Sequence, residues 1–172
     1  MTRPPDAGLG GHPGRPPLRP IPCSRTRSAS MVVMVEFEIT DVQDEAAVSE
    51  LRGRLVAFNI AATGFSEYRS LSCFVRNEEG ELDAGIDGFS WGGYAMVEWL
   101  WVTASIRGRG HGTGLMRAFE TEAQKRGCRA IRVNTHTFQA PDFYRHLGYE
   151  EIGYAEDTPL GHGECFFAKR LA

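Results

Sequence analysis

Four glycines and two arginines are crowded into the eight-residue string Arg107-Gly108-Arg109-Gly110-His111-Gly112-Thr113-Gly114. Glycine lets a backbone approach a ligand closely, because it has no side chain to clash. The apolar run at 96–102 precedes this string, and a helix is predicted to begin inside the string, at about residue 111. The first N–H groups of a helix have no internal partner, and the helix dipole attracts anions to them. The turn is therefore predicted to bind phosphate; a tightly packed or flexible turn is the alternative.

Two common nucleotide-binding motifs are absent from this turn. A G-x-G-x-x-G motif that starts at Gly110 would need glycine at position 115, where Leu115 stands. A G-x-x-x-x-G-K-[ST] motif fails because no Lys-Ser or Lys-Thr pair follows the glycines. The turn is thus predicted to hold phosphate by a different pattern.

Glu98 is the one charged residue in the apolar run Met96-Val97-Glu98-Trp99-Leu100-Trp101-Val102. A carboxylate buried in such a strand is costly unless it has a task or a partner. Desolvation there would raise its pKa toward neutrality and make it a better general base, acting directly or through water. Glu98 is therefore the predicted base, with a structural salt bridge as the alternative.

The metal-ligating residue types do not cluster. The four cysteines, Cys23, Cys73, Cys128 and Cys165, are far apart, and the five histidines are equally scattered. Zinc sites usually show pairs of such residues at short spacing. No metal and no disulfide is predicted.

The segments around these residues follow the periods of helices and strands. Apolar residues recur at three- and four-residue steps over 44–62, which predicts a helix with one buried face, capped by Thr40 or Asp41 and ended by Gly64. A second helix is predicted over 111–126, ended by Gly127. The other predicted elements are strands at 31–40, 71–76, 82–91, 94–102, 130–135, 149–154 and 164–171, and a short helix at 141–147 ended by Gly148.

This order, β-α-β-β-β-α-β-α-β-β, predicts a mixed α/β domain. The strand at 94–102 is apolar on both faces, so it should lie in the middle of the sheet. The unit that runs from it through the glycine turn and helix to the strand at 130–135 should form a right-handed parallel crossover.

Composition divides the chain in two. Residues 1–30 hold seven of the nine prolines and five arginines against one acidic residue, a formal charge of +4. Residues 31–172 hold 14 basic and 21 acidic residues, a formal charge of −7. The first part is predicted to be disordered, with translation starting at Met31 or Met34 as an alternative.

No apolar stretch approaches the ~18 residues of a membrane helix, so a soluble, cytoplasmic protein is expected.

Two sequence blocks resemble one family. Arg107, Gly110 and Gly112 form R-x-x-G-x-G after Leu100-Trp101-Val102, which resembles the acetyl-CoA-binding motif of the GNAT N-acetyltransferase superfamily. The string A-P-D-F-Y-R-H-L-G-Y at 140–149 is similar to the family's A-x-x-[FL]-Y-x-x-x-G-[FY] segment. The resemblance covers 34–172. It departs from the family at Thr137, where many members have asparagine, and at 103–106, where a proline is often seen.

The resemblance implies the GNAT fold, a mixed and mostly antiparallel sheet with a splayed parallel pair and flanking helices. It also implies that backbone amides of the turn hold the pyrophosphate of CoA, with Arg107 or Arg109 adding charge, and that the strand backbone pairs with the pantetheine. The implied binding residues are Leu100, Trp101, Val102, Arg107, Gly108, Arg109, Gly110, His111, Gly112, Thr113, Gly114 and Thr137. Tyr144 would protonate the departing thiolate; a packing role for its ring is the alternative.

The implied activity is direct acetyl transfer to a primary amine. The −7 charge favours a cationic acceptor, such as a polyamine, an amine antibiotic or a protein amino group, and disfavours nucleic acid. His136 is a candidate proton relay or a plain loop histidine, and Trp91, Trp99 and Trp101 would line the acceptor pocket or belong to the core. Asn59 and the 64–69 segment are weaker acceptor-site candidates. A catalytically inactive CoA-binding module is the alternative function, and a homodimer is compatible with the resemblance.

Overall fold

Six strands and three helices follow one another in a computed structural model, which describes residues 37–172. A short 3-10 turn, Ala104–Ile106, leads into the glycine turn. The helices are α1 (Glu45–Thr63), α2 (His111–Lys125) and α3 (Pro141–His146). The strands are β1 (Arg69–Arg76), β2 (Leu82–Trp91), β3 (Tyr94–Val102), β4 (Ala130–His136), β5 (Glu150–Glu156) and β6 (Gly163–Arg170). The predicted elements within the described residues are thus confirmed, with ends that shift by one or two residues.

The strands form one mixed sheet in the order β1-β2-β3-β4-β6-β5. β3 and β4 are parallel and joined through α2, as the crossover prediction required, whereas all other neighbours are antiparallel. β3 lies inside the sheet, between β2 and β4, as its apolar sequence indicated.

The centre of the sheet opens where β3 passes Glu98. Pairing between β3 and β4 extends from Tyr94, opposite Ala130, to Val97, opposite Val133, and stops there. On the other side of β3 the register shifts, because Gly88 faces Val97 while Asp87 faces Trp99. Glu98 is therefore the extra residue of a β-bulge, which bends a strand and interrupts its ladder. The splayed parallel pair implied by the resemblance begins at this residue.

The core lies between α2, α3 and one face of the sheet, called here the inner face. α2 contributes Leu115, Met116, Phe119 and Ala123, all of them buried. The sheet residues buried on this face include Ala84, Ile86, Ala95, Val97, Ile131, Val133, Cys165 and Phe167. The opposite, outer face carries exposed aromatic residues, among them Trp99 and Trp101. Neither tryptophan belongs to the core, which lies between the inner face and the helices.

Two predictions about α1, its N-cap and its buried face, are wrong. Its N-cap is Asp44, whose carboxylate accepts a hydrogen bond from the amide of Ala47, rather than Thr40 or Asp41. No residue of α1 is buried among residues 37–172, and Leu51 and Phe58 are 67% and 69% exposed. The spacing predicted a buried face, and this prediction is wrong because a helix face is buried only where another element packs on it. The predicted end is confirmed, since Gly64 has the left-handed φ of 74°.

The N-terminal predictions lie mostly beyond the described part of the chain. The basic segment at 1–30 and the first six residues of the predicted strand at 31–40 are outside it. Residues 37–40 carry neither helix nor strand.

Candidate active site

The glycine turn forms an anion cradle at the start of α2. Gly108 and Gly110 have positive φ angles of 75° and 85°, which side chains other than glycine rarely tolerate. Gly110 is the N-cap, and the intrahelical bond from Gly114 to its carbonyl begins the helical ladder. The amides of the first three helical residues therefore point outward without intrahelical partners. This arrangement fits a pyrophosphate group.

A cleft of about 1100 Å³ begins at this cradle and runs into the gap between β3 and β4. Its walls are the second halves of both strands, the turn, the start of α2, and α3. Most of the residues expected to act together are brought together here. They are Glu98, Leu100, Trp101, Val102, Arg107, Gly108, Gly110, His111, Gly112, Thr113, His136 and Tyr144.

Three of the expected binding residues lie elsewhere. Arg109 and Gly114 line a smaller cavity of about 300 Å³ beside Cys73, and Gly110 and His111 are shared between the two cavities. Thr137 does not line the main cleft. Its amide donates to the carbonyl of Gly163 (2.8 Å) and its hydroxyl accepts from the amide of Gly163 (3.1 Å), so it ties the end of β4 to β6.

Tyr144 reaches the cleft from α3 on the inner side of the sheet. Its ring packs on Phe143, Tyr149 and Phe167, and the residue is only 5% exposed. Burial raises the pKa of Tyr144 to about 12, because the phenolate would lose its hydration. The hydroxyl therefore keeps its proton at neutral pH, as a general acid must. The ring packs in the core, as the alternative interpretation predicted, and the residue also lines the cleft.

Glu98 lies at the outer side of the same gap, and the prediction that it is buried in the strand is wrong. It is exposed, because the bulge turns it away from the core. The burial on which that argument depended is absent, although the residue lines the cleft.

Polar and aromatic residues from the end of β4 and the turn that follows it border the cleft on the β4 side, and residues of the β5–β6 region contact them. The Nδ1 of His136 lies 3.1 Å from the carbonyl oxygen of Thr158, and its ring stacks on Phe138. The side-chain amide of Asn134 donates to the carboxylate of Glu164. Trp91 does not line the cleft, whereas Trp99 and Trp101 do.

Several cleft residues were not anticipated from the sequence. Asn134 belongs with His136 on the outer face of β4, and the two-residue alternation of that strand could have indicated it. Phe143 lies in α3, next to Tyr144 in the block at 140–149. Phe138 and Gln139 enter through a turn in which the side-chain oxygen of Gln139 accepts from Thr135 and from the amide of His136. No local pattern marks such a turn.

Neither a metal-ligating cluster nor a membrane-spanning helix occurs in the described part of the chain. Residues 37–172 contain no group of three histidine, cysteine or acidic side chains that could hold a metal ion. None of the helices found there is both long and apolar enough to cross a bilayer.

Comparisons with known proteins identify the class. The family model described as an acetyltransferase (GNAT) domain matches residues 69–151. An acetyltransferase of Agrobacterium fabrum is 32% identical over 137 residues, which cover 80% of this chain and all of that protein. A blasticidin-S acetyltransferase of Streptomyces morookaense is 35% identical over 105 residues, or 60% of this chain and 75% of the relative.

Solved structures agree with this assignment. The crystal structure of an Agrobacterium tumefaciens acetyltransferase has a TM-score of 0.76 and 31% identity, covering 80% of this chain and all of that one. An acetyltransferase from Bacillus cereus has a TM-score of 0.69 at 31% identity, over 78% of this chain and 98% of that one. The chain belongs to the GNAT family of acetyltransferases. It is an N-acetyltransferase that uses acetyl-CoA as its acetyl donor.

Proposed function

We propose that the protein acetylates a primary amine of a cationic acceptor by direct transfer across the gap between β3 and β4. The observation that carries this proposal is the position of two groups on opposite sides of that gap. Tyr144 approaches from the inner side, and Glu98 stands at the outer side. Acetyl-CoA lies on the inner side in this proposal, with its pyrophosphate on the amides of the glycine turn, and the amine enters from the outer side.

The chain's residues then have distinct roles. Glu98 takes a proton from the acceptor ammonium through water, which frees the nitrogen lone pair. The nitrogen forms a bond to the thioester carbonyl carbon, and the carbon–sulfur bond breaks. Tyr144 donates its proton to the departing thiolate, and the second proton that the nitrogen loses on becoming an amide returns to Tyr144 through solvent. Positioning of the two reactants supplies much of the remaining rate enhancement.

The acceptor is proposed to be cationic because residues 31–172 carry 14 basic and 21 acidic residues. A polyamine, a small amine antibiotic and a protein amino group all fit this charge. The relative named for blasticidin S favours the small molecule. Dependence on acetyl-CoA favours a cytoplasmic location, and a homodimer is the proposed assembly.

The test is thiol release from acetyl-CoA across a panel of amines. We expect thiol release with at least one cationic amine. We also expect Glu98→Gln to lose most of the turnover while its affinity for acetyl-CoA changes little. His136→Gln serves as the comparison, because it removes a second titratable side chain that lines the cleft. A loss of turnover in His136→Gln alone would move the base role to that histidine. CoA binding without release for any amine would instead support the inactive module.

A further inference from the structure

A carboxylate and a set of aromatic rings lie side by side on the outer face, next to the gap. In the register of the sheet, Asp87 on β2 stands between Ser72 on β1 and Trp99 on β3. The Ser72 hydroxyl donates to Oδ1 of Asp87 at 2.5 Å, which orients the carboxylate. Trp99 is 73% exposed, so its ring stands open beside this carboxylate. Trp99 directly follows Glu98, and Asp87 is thus one strand away from the gap.

An aromatic stack flanks the carboxylate on its other side. Phe89, two residues beyond Asp87 and therefore on the same face, stacks with Tyr68 at 4.4 Å between ring centroids and 27° between planes. Burial, and then the negative charges of Glu98 and Asp87, raise the pKa of Tyr68. The phenol therefore sits in the electric field of both carboxylates.

The negative charge on this patch is not neutralised by the residues around it. Within residues 37–172, neither Asp87 nor Glu98 forms an ion pair with lysine, arginine or histidine. Arg132 lies on the same face, but its guanidinium stacks on Tyr94, 5.2 Å from the ring centroid. Carboxylates flanked by aromatic faces are the surroundings that ammonium and guanidinium groups prefer.

We propose that Asp87, with Tyr68 and Trp99 beside it, binds a second cationic group of the acceptor while the reacting amine lies in the gap. The acceptor is thus an amine that also carries an ammonium or guanidinium group. Neighbouring strands are about 4.8 Å apart, so a spacer of roughly four to six atoms would connect the two groups. This inference rests on the proposed function, because it assumes that the amine enters from the outer face.

The experiment compares agmatine, which carries a guanidinium group four carbons from its amine, with butylamine, which lacks the second cation. Acetyl transfer to agmatine should exceed transfer to butylamine in kcat/KM by roughly tenfold or more, the usual scale of a charge-assisted contact. Asp87→Asn should remove most of this preference. Glu79→Gln is the matched control, because it removes one negative charge from an exposed turn at the far end of β1 and should leave the preference unchanged.

A second pair of variants separates the aromatic contribution from general damage. Tyr68→Phe keeps the ring and should keep the preference, whereas Tyr68→Leu should reduce it several-fold. Equal kcat/KM for agmatine and butylamine, or a preference that survives Asp87→Asn, would overturn the inference while leaving acetyl transfer intact.

Binding measured by calorimetry on the CoA-saturated protein distinguishes the two failures. Agmatine that binds in an Asp87-dependent way, while no amine of the panel is acetylated, would support the cation subsite and contradict the proposed function. Agmatine that neither binds nor reacts would overturn the subsite.

Discussion

The guanidinium carbon of Arg107 lies 4.7 Å from the centroid of the Trp101 ring, and its Nε donates to the carbonyl of Val102 at 2.9 Å. Both partners are the last residues of β3, so the arginine folds back onto the strand that precedes it. This holds a positive charge on the cleft wall beside the glycine turn. Arg109, two residues on, lines the smaller cavity instead. Of the two arginines that the sequence left as alternatives, Arg107 lines the main cleft and Arg109 does not.

Arg107→Lys should weaken CoA binding although it preserves the charge. Lysine has neither the planar group that stacks on Trp101 nor the Nε–H that bonds Val102. Without these contacts the side chain must be ordered when CoA binds, which should cost about 0.5–1.5 kcal/mol, or roughly 2- to 12-fold in Kd. Calorimetric titration with CoA measures the change, and Arg109→Lys, expected to alter Kd by less than about twofold, is the control. A larger effect in the Arg109 variant would reverse the assignment.

Gly112→Val should abolish most CoA binding. A Cβ at this position would already lie 3.4 Å from Cζ of Phe143 and 3.8 Å from Cγ2 of Val102, so a branched side chain must intrude on the cradle or displace its wall. Gly114→Ala is the matched control in the same helix, because its Cβ would meet nothing within 4 Å. That change should leave Kd unaltered and stabilise the fold by about 0.5–1 kcal/mol. Unchanged affinity in Gly112→Val would refute the pyrophosphate cradle.

Tyr144→Phe should lower kcat by about 100-fold, the usual contribution of a general acid, while the Kd of acetyl-CoA stays nearly constant. Burial disfavours the phenolate and holds the pKa of Tyr144 near 12, so the wild-type proton donor persists until the pH approaches that value. The wild-type rate should therefore show no fall due to this residue between pH 7 and about 10. Steady-state kinetics across this range provide the measurement, and wild-type turnover in the variant would remove Tyr144 from the mechanism.

Replacing one leucine in each helix tests whether α2 is buried and α1 exposed. Leu115 in α2 is 3% exposed, and its replacement by alanine should reduce the free energy of unfolding by about 2–5 kcal/mol. Leu55 in α1 is 59% exposed, and the same replacement should change that free energy by no more than about 0.5 kcal/mol. Urea unfolding followed by circular dichroism measures both. A cost at Leu55 comparable to that at Leu115 would show that the α1 face is covered in solution.

Local signals in the sequence were sufficient for most of the architecture. Hydrophobic periodicity placed α2 and all six strands of the described sheet, and glycine marked the helix ends because Gly64, Gly127 and Gly148 adopt positive φ angles. The two motif blocks correctly indicated a cleft that joins the glycine turn to Tyr144. These features depend on residues close together in the chain.

The errors concern properties that arise between distant segments. Burial of α1 depended on a packing partner that its own periodicity could not specify. The exposure of Glu98 depends on pairing with β2, since only the register against Asp87 and Gly88 reveals the bulge. The role of Thr137 as an anchor for Gly163 required knowledge of β6, 26 residues further along the chain.

The single extra residue at Glu98 also decides what each later side chain of β3 faces. Side chains alternate along a strand, so a regular strand that included Glu98 in its ladder would point Trp99 and Trp101 into the core, and Leu100 and Val102 to solvent. Because the bulge leaves Glu98 out of the ladder, the two aliphatic residues pack against the core and both tryptophans border the cleft. Taking Glu98 into the ladder would therefore invert the wall of the active site, whereas deleting it would leave the same side chains facing the core.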